Sequence, residues 1–170
     1  MYINISEFIS NHNELIFSKN GTCDIKDDNS SDPVNGTADY EMLISKVNEE
    51  LILNLDIDFE YTKSCDRCLV EVTNTDSVNY SAKLVNDNQN DNIDDDFDIV
   101  LMNQNTIDIC KLVQELVILS IPMKNLCEDE CKGICPKCGK DLNKGSCDCE
   151  SENLDLRFSV LKDFEIDEEV

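Results

Sequence analysis

The sequence predicts an α+β protein: an antiparallel sheet packed by one main helix, with a C-terminal Cys-rich zinc-binding module. Three stretches carry that expectation. Leu51, Leu53, Leu55, Ile57, Phe59 and Tyr61 alternate without a break against Ile52, Asn54, Asp56, Asp58, Glu60 and Thr62, the period of a strand with one buried and one wet face. Ile109, Leu112, Val113, Leu116 and Leu119 recur at helical spacing, and Cys110, Val117 and Ile121 widen the stripe. From Cys127 to Cys149 six cysteines run C-x3-C-x3-C-x2-C-x8-C-x-C in a segment too short to bury a core of its own.

Residues 1 to 20 read as strand, short helix, strand: Tyr2, Ile3 and Ile5, then Ser6 as N-cap of EFISN, then the apolar Leu15 to Phe17. Gly21 to Thr37 is rich in Asp, Asn and Ser and reads as a turn-rich connection. His12 and Cys23, each isolated, are given plain surface roles, because a metal ligand needs convergent partners. Tyr40 to Val47 forms a hairpin with the long strand across Asn48, Glu49 and Glu50, and Leu69 to Leu84 continues the sheet. Cys65 and Cys68 then lie at a strand-to-strand turn, where a C-x-x-C aims both sulfurs to one side and backbone N–H groups can spread thiolate charge.

Asn86 to Asp98 holds six Asp and no base and reads as a solvated acidic loop; it lacks the Gly and terminal Glu of an EF-hand. The helix runs from Thr106 to Ile121, capped by Thr106 or Asp108 and ended by Pro122, with Cys110 as a core residue. The chain thus divides into an α+β domain at 1–126, the Cys-rich module at 127–149 and an acidic tail at 150–170, in which Leu154, Leu156, Phe158, Val160 and Leu161 form a short apolar series.

With 170 residues and 41% hydrophobic content the chain suits one domain with a modest core. A formal charge of -23, from 14 basic and 37 acidic residues, disfavours coating of nucleic acid or of acidic membranes. Neither a basic start leading into an apolar run nor a stretch of about 18 apolar residues occurs, so a cytoplasmic protein is expected. In that reducing compartment ten cysteines read as metal ligands before disulfides.

Setting aside Cys23 and Cys110 leaves Cys65, Cys68, Cys127, Cys131, Cys135, Cys138, Cys147 and Cys149, enough for two structural zinc ions with four thiolates each. One partition closes a local site with Cys135, Cys138, Cys147 and Cys149 and joins Cys65 and Cys68 to Cys127 and Cys131. Another joins Cys127 and Cys131 to Cys135 and Cys138, and spacing leaves both open. Lys132, Lys137, Lys140, Lys144 and Arg67 can offset the negative charge of such centres. Closed four-thiolate sites have no open position for water, so no enzyme activity and no small-molecule substrate are expected. A thiol or Fe-S redox enzyme and a zinc-ribbon nucleic-acid binder are the competing readings.

The strings CDRCL at Cys65, Ile121-Pro122 at the helix end, and CKGICPKCGKDLN from Cys131 to Asn143 resemble the YceD-like family of large ribosomal RNA subunit accumulation proteins, over roughly Asn35 to Cys149. The resemblance implies a non-enzymatic accessory factor in ribosome assembly. The acidity then fits docking onto a basic ribosomal or assembly protein, with at most a limited rRNA contact by Lys132, Lys137, Lys140 and Lys144.

Overall fold

A computed structural model describes residues 1–27, 33–48, 50–87 and 98–149. In chain order these form β1 (Tyr2–Asn4), α1 (Ser6–Ser10), β2 (Ile16–Asp27), β3 (Val34–Val47), β4 (Glu50–Ser64), β5 (Glu71–Asn86), β6 (Asp98–Met102), β7 (Thr106–Asp108) and α2 (Ile109–Ser120). The main sheet has the order β2-β3-β4-β5-β6, and β1 pairs with β7 in a separate two-stranded sheet.

Strand β4 is the centre of the main sheet. Its odd-numbered residues Leu53, Leu55, Ile57, Phe59 and Tyr61 are buried, and each contributes about 2 kcal/mol by leaving water. Across the ladder Leu53 faces Ile44, Leu55 faces Met42 and Ile57 faces Tyr40, all buried, so register and hydrophobic pattern agree. Ile3, Phe8, Met102 and Ile107, with Ile109, Val113 and Val117 of α2, complete one continuous core against this face.

Several expectations change. The connection expected at Gly21 to Thr37 is largely strand, because Cys23 and Ile25 point inward to join the core while the polar residues between them face water. The sheet is mixed: β3, β4 and β5 run antiparallel, but β6 pairs parallel to β5, Ala82 against Asp98. Most of the expected acidic loop (88–97), the hairpin residue at 49 and the acidic tail (150–170) lie outside the described residues. Two helices are described, the short α1 within residues 1 to 20 and the longer α2 within the expected main helix. Helix α1 begins after Ile5, with no side-chain cap from Ser6, and α2 begins at Ile109 because Thr106 to Asp108 pair with β1. Leu119, expected on the buried stripe, is 83% exposed near the end of α2.

Cys23 is neither lone nor on the surface. It is buried on β2 and bonded to Cys110 of α2 across 87 residues of sequence, which ties the helix to the edge strand of the sheet.

Helix α1 has only five residues and no base in its last turn, so its carbonyl end depends on another element. Lys46 of β3 supplies it: Nζ donates to Asn11 O at 2.8 Å, to Ile9 O at 3.3 Å and also to Phe8 O, and lies over the Phe8 ring. Lys46→Met, which keeps the stem and removes the donors, is expected to lower stability by about 2 kcal/mol in urea denaturation.

Candidate metal centres

Strands β4 and β5 are joined by a tight turn holding Cys65 and Cys68, and the chain after α2 returns to that turn. The Sγ atoms of Cys65, Cys68, Cys127 and Cys131 all lie within 4.8 Å of one another, as do those of Cys135, Cys138, Cys147 and Cys149. Cys65 and Cys131 are 3.8 Å apart at sulfur, and Cys68 and Cys127 are 3.6 Å apart. Four sulfurs about 2.3 Å from a tetrahedral ion are separated by about 3.8 Å, so this spacing fits a metal-thiolate centre. Each group could hold a metal ion. The geometry groups the thiols by the first of the two partitions left open by spacing.

The two C-x-x-C turns are built alike. Cys65 N–H donates to Val70 O at 2.8 Å and Leu69 N–H to Cys65 O at 2.9 Å. In the other turn Cys135 N–H donates to Lys140 O at 2.9 Å and Gly139 N–H to Cys135 O at 2.8 Å. Both turns need a left-handed residue just after the second cysteine, supplied by Gly139 at φ 71° and by Leu69 at φ 61°. Leu69 therefore carries strain that glycine would not, and its side chain is mostly exposed. Leu69→Gly is expected to raise stability by about 1 kcal/mol, read as a higher Tm.

Neighbouring groups shift several of these thiols in opposite directions. Burial opposes ionisation of Cys65, yet the N–H groups of Cys68 and Arg67 outweigh it and bring its pKa down to about 6. Cys138 and Lys137 N–H groups do the same for Cys135, also to about 6. Cys127 is pushed up to about 12, chiefly by Cys131, and Cys149 to about 12, chiefly by Cys138. Four thiolates this close cannot all ionise unless a cation sits among them.

Asn125, which carries no sequence signal, positions the first group. It is the described buried polar residue, 3% exposed. Its Nδ2 donates to Lys63 O at 3.1 Å and Ser64 O at 3.0 Å, and its Oδ1 accepts from Asn74 Nδ2 at 3.0 Å. Its backbone N–H donates to Asp66 Oδ2 at 2.7 Å, while Asp66 N–H returns to Asn125 O at 2.9 Å. The chain is thereby fixed to the end of β4 two residues before Cys127. Arg67 Nη1 donates to Cys131 O at 2.7 Å, holding the other arm of the group.

The remaining candidates are placed as follows. His12 is exposed and bonds Ser10 O through Nδ1 at 3.1 Å. Lys140 Nζ donates to Ser146 O at 2.6 Å and Lys144 pairs with Asp141 at 3.1 Å, so both bases serve the loop of the second group. No described helix is long and apolar enough to cross a membrane.

Residues 53–165 match the family described as Large ribosomal RNA subunit accumulation protein YceD. The chain is 31% identical over 130 residues to the Bacillus subtilis (strain 168) protein YlbN, covering 76% of this chain and 71% of that protein. It is 46% identical over 55 residues to the chloroplastic large ribosomal RNA subunit accumulation protein YCED homolog 1 of Arabidopsis thaliana, which covers 32% of this chain and 17% of that protein. The Zea mays protein of the same description is 39% identical over 49 residues, covering 28% of this chain and 17% of its own length. The two plant relatives are thus much longer than the segment they share. No solved structure matches the chain significantly. The thiol groups and the matched span agree in place, and the chain belongs to the YceD family of large ribosomal RNA subunit accumulation proteins.

Proposed function

We propose that the protein is a non-enzymatic, zinc-binding accessory factor in large-subunit rRNA accumulation, acting in the cytoplasm through a basic ribosomal or ribosome-assembly protein. The observation that carries the metal reading is the convergence of four free thiols from a strand-to-strand turn and a distant segment, with Cys68 and Cys127 sulfurs 3.6 Å apart and Cys65 and Cys131 sulfurs 3.8 Å apart. Cys65, Cys68, Cys127 and Cys131 hold one zinc ion; Cys135, Cys138, Cys147 and Cys149 hold the other. Four thiolates fill a tetrahedral ion, leaving no position for a reacting water, so the ions serve structure. The chain divides into a frame at 1–126, the thiol-rich module at 127–149 and an acidic tail at 150–170.

The wet face of the main sheet supports a basic partner. Asp39 lies opposite Asp58 and Glu41 opposite Asp56, with Thr37 opposite Glu60 in the next row. Like charges directly opposite on a ladder cost stability, and a Lys- or Arg-rich segment laid across them relieves that repulsion.

Elemental analysis of anaerobically purified protein tests the metal reading. About two zinc per chain and no absorption in the visible range support it; a brown protein containing iron would replace it with the Fe-S redox reading. Tight RNA binding that falls steeply with salt would overturn the protein-partner reading in favour of a nucleic-acid binder.

A further inference from the structure

The two thiol groups meet at a bonded boundary. Asn143, in the loop that closes the second group, donates Nδ2 to Cys131 Sγ of the first at 3.4 Å. Its Oδ1 accepts the backbone N–H of Lys132 at 2.7 Å, and because an N–H can only donate, the nitrogen is the end that faces sulfur. The amide is held in turn. Asn143 N–H donates to Asp141 Oδ1 at 2.9 Å and Leu142 N–H to Gly133 O at 2.9 Å. On the other side Ile134 N–H, one residue before Cys135, donates to Arg67 O at 3.2 Å, inside the Cys65 turn. Gly133 comes so close to that turn that an added Cβ would sit 3.0 Å from Arg67 O.

We propose that Asn143 is a positioning residue that couples the two centres: closing the second group around its ion presents an amide donor to a sulfur of the first, so each ion tightens the other. The inference rests on the reading that both groups bind metal. A four-thiolate centre with a divalent ion keeps about two net negative charges, which N–H donors to sulfur spread. Cys131 is 2% exposed, so little water can replace the Asn143 donor. Coupling of this kind is reciprocal between the two sites.

The test titrates the metal-free full chain with Co2+ alone, anaerobically, against a chelator of known affinity, following cobalt-thiolate absorption. Cys65→Ser/Cys68→Ser and Cys147→Ser/Cys149→Ser variants identify the bands of each centre. Asn143→Asp keeps the acceptor for Lys132 N–H and removes the donor to sulfur. It is expected to weaken the first centre about tenfold or more, the usual effect of losing a partner of a metal ligand. Cys147→Ser/Cys149→Ser should weaken that centre by the same order, and the combined variant little further, since both changes remove one interaction. First-centre affinity within about twofold of the parent in both variants, or effects that simply multiply, would overturn the coupling and leave both metal centres standing. Absence of cobalt-thiolate absorption in the parent chain would instead overturn the metal reading itself.

Discussion

Cys65→Ser/Cys68→Ser is expected to leave one of the two thiol groups working, so that bound zinc falls from about two ions per chain to about one. The lost group joins the β4–β5 turn to the segment after α2, across 66 residues for Cys65 to Cys131 and 59 for Cys68 to Cys127. Structural zinc in small thiolate sites supplies on the order of 10 kcal/mol of apparent binding energy, far more than the Asn125 hydrogen bonds that also hold this segment. Limited proteolysis should therefore open the chain between Pro122 and Ile134. The sheet should survive, because its core excludes Cys65, Cys68 and Cys131, which pack in a separate cluster with Val72, Leu126 and Ile134. Retention of both ions, or collapse of the sheet along with the segment, would count against the assignment of these four residues.

Gly36→Ala should be the most damaging single change away from the cysteines. Gly36 lies on β3 opposite Tyr61, and a Cβ there would fall 2.1 Å from Glu60 O and 2.9 Å from Tyr61 Cα. Backbone cannot rotate away as a side chain can, so β3 and β4 must part locally and lose ladder bonds. A loss of about 3 kcal/mol or more is expected in the urea midpoint, with the slope unchanged. Thr37→Ala, one residue along on the wet face, provides the contrast and should stay within about 0.5 kcal/mol.

Much of this molecule is legible one stretch at a time. Alternation from Leu51 to Tyr61 specifies a strand and which of its faces is buried, because the side-chain period of a strand needs no partner to be read. Pro122 stops α2 at Ser120, because its clash with the preceding residue holds Ile121 in extended backbone. Cysteine spacing likewise marks which eight thiols travel in clusters. Long-range placement is another matter. The hydrophobic period of β6 says nothing about whether it runs with or against β5, and Thr106 to Asp108 read as helix until β1 is present to pair with them. Composition made 21–37 a connection, since Asp and Asn are poor strand formers, but the inward faces of Cys23 and Ile25 had a core to fill.

By itself, then, the sequence determined the central strands, the helix stop, the acidity and the family, all properties written in neighbouring residues. The tertiary structure alone decided which thiols meet, that Cys23 bonds Cys110, and that Asn125 and Asn143 hold the thiol groups in place. Those contacts join residues tens of positions apart, and the free energy of such an encounter depends on how the whole chain packs, which local spacing does not encode.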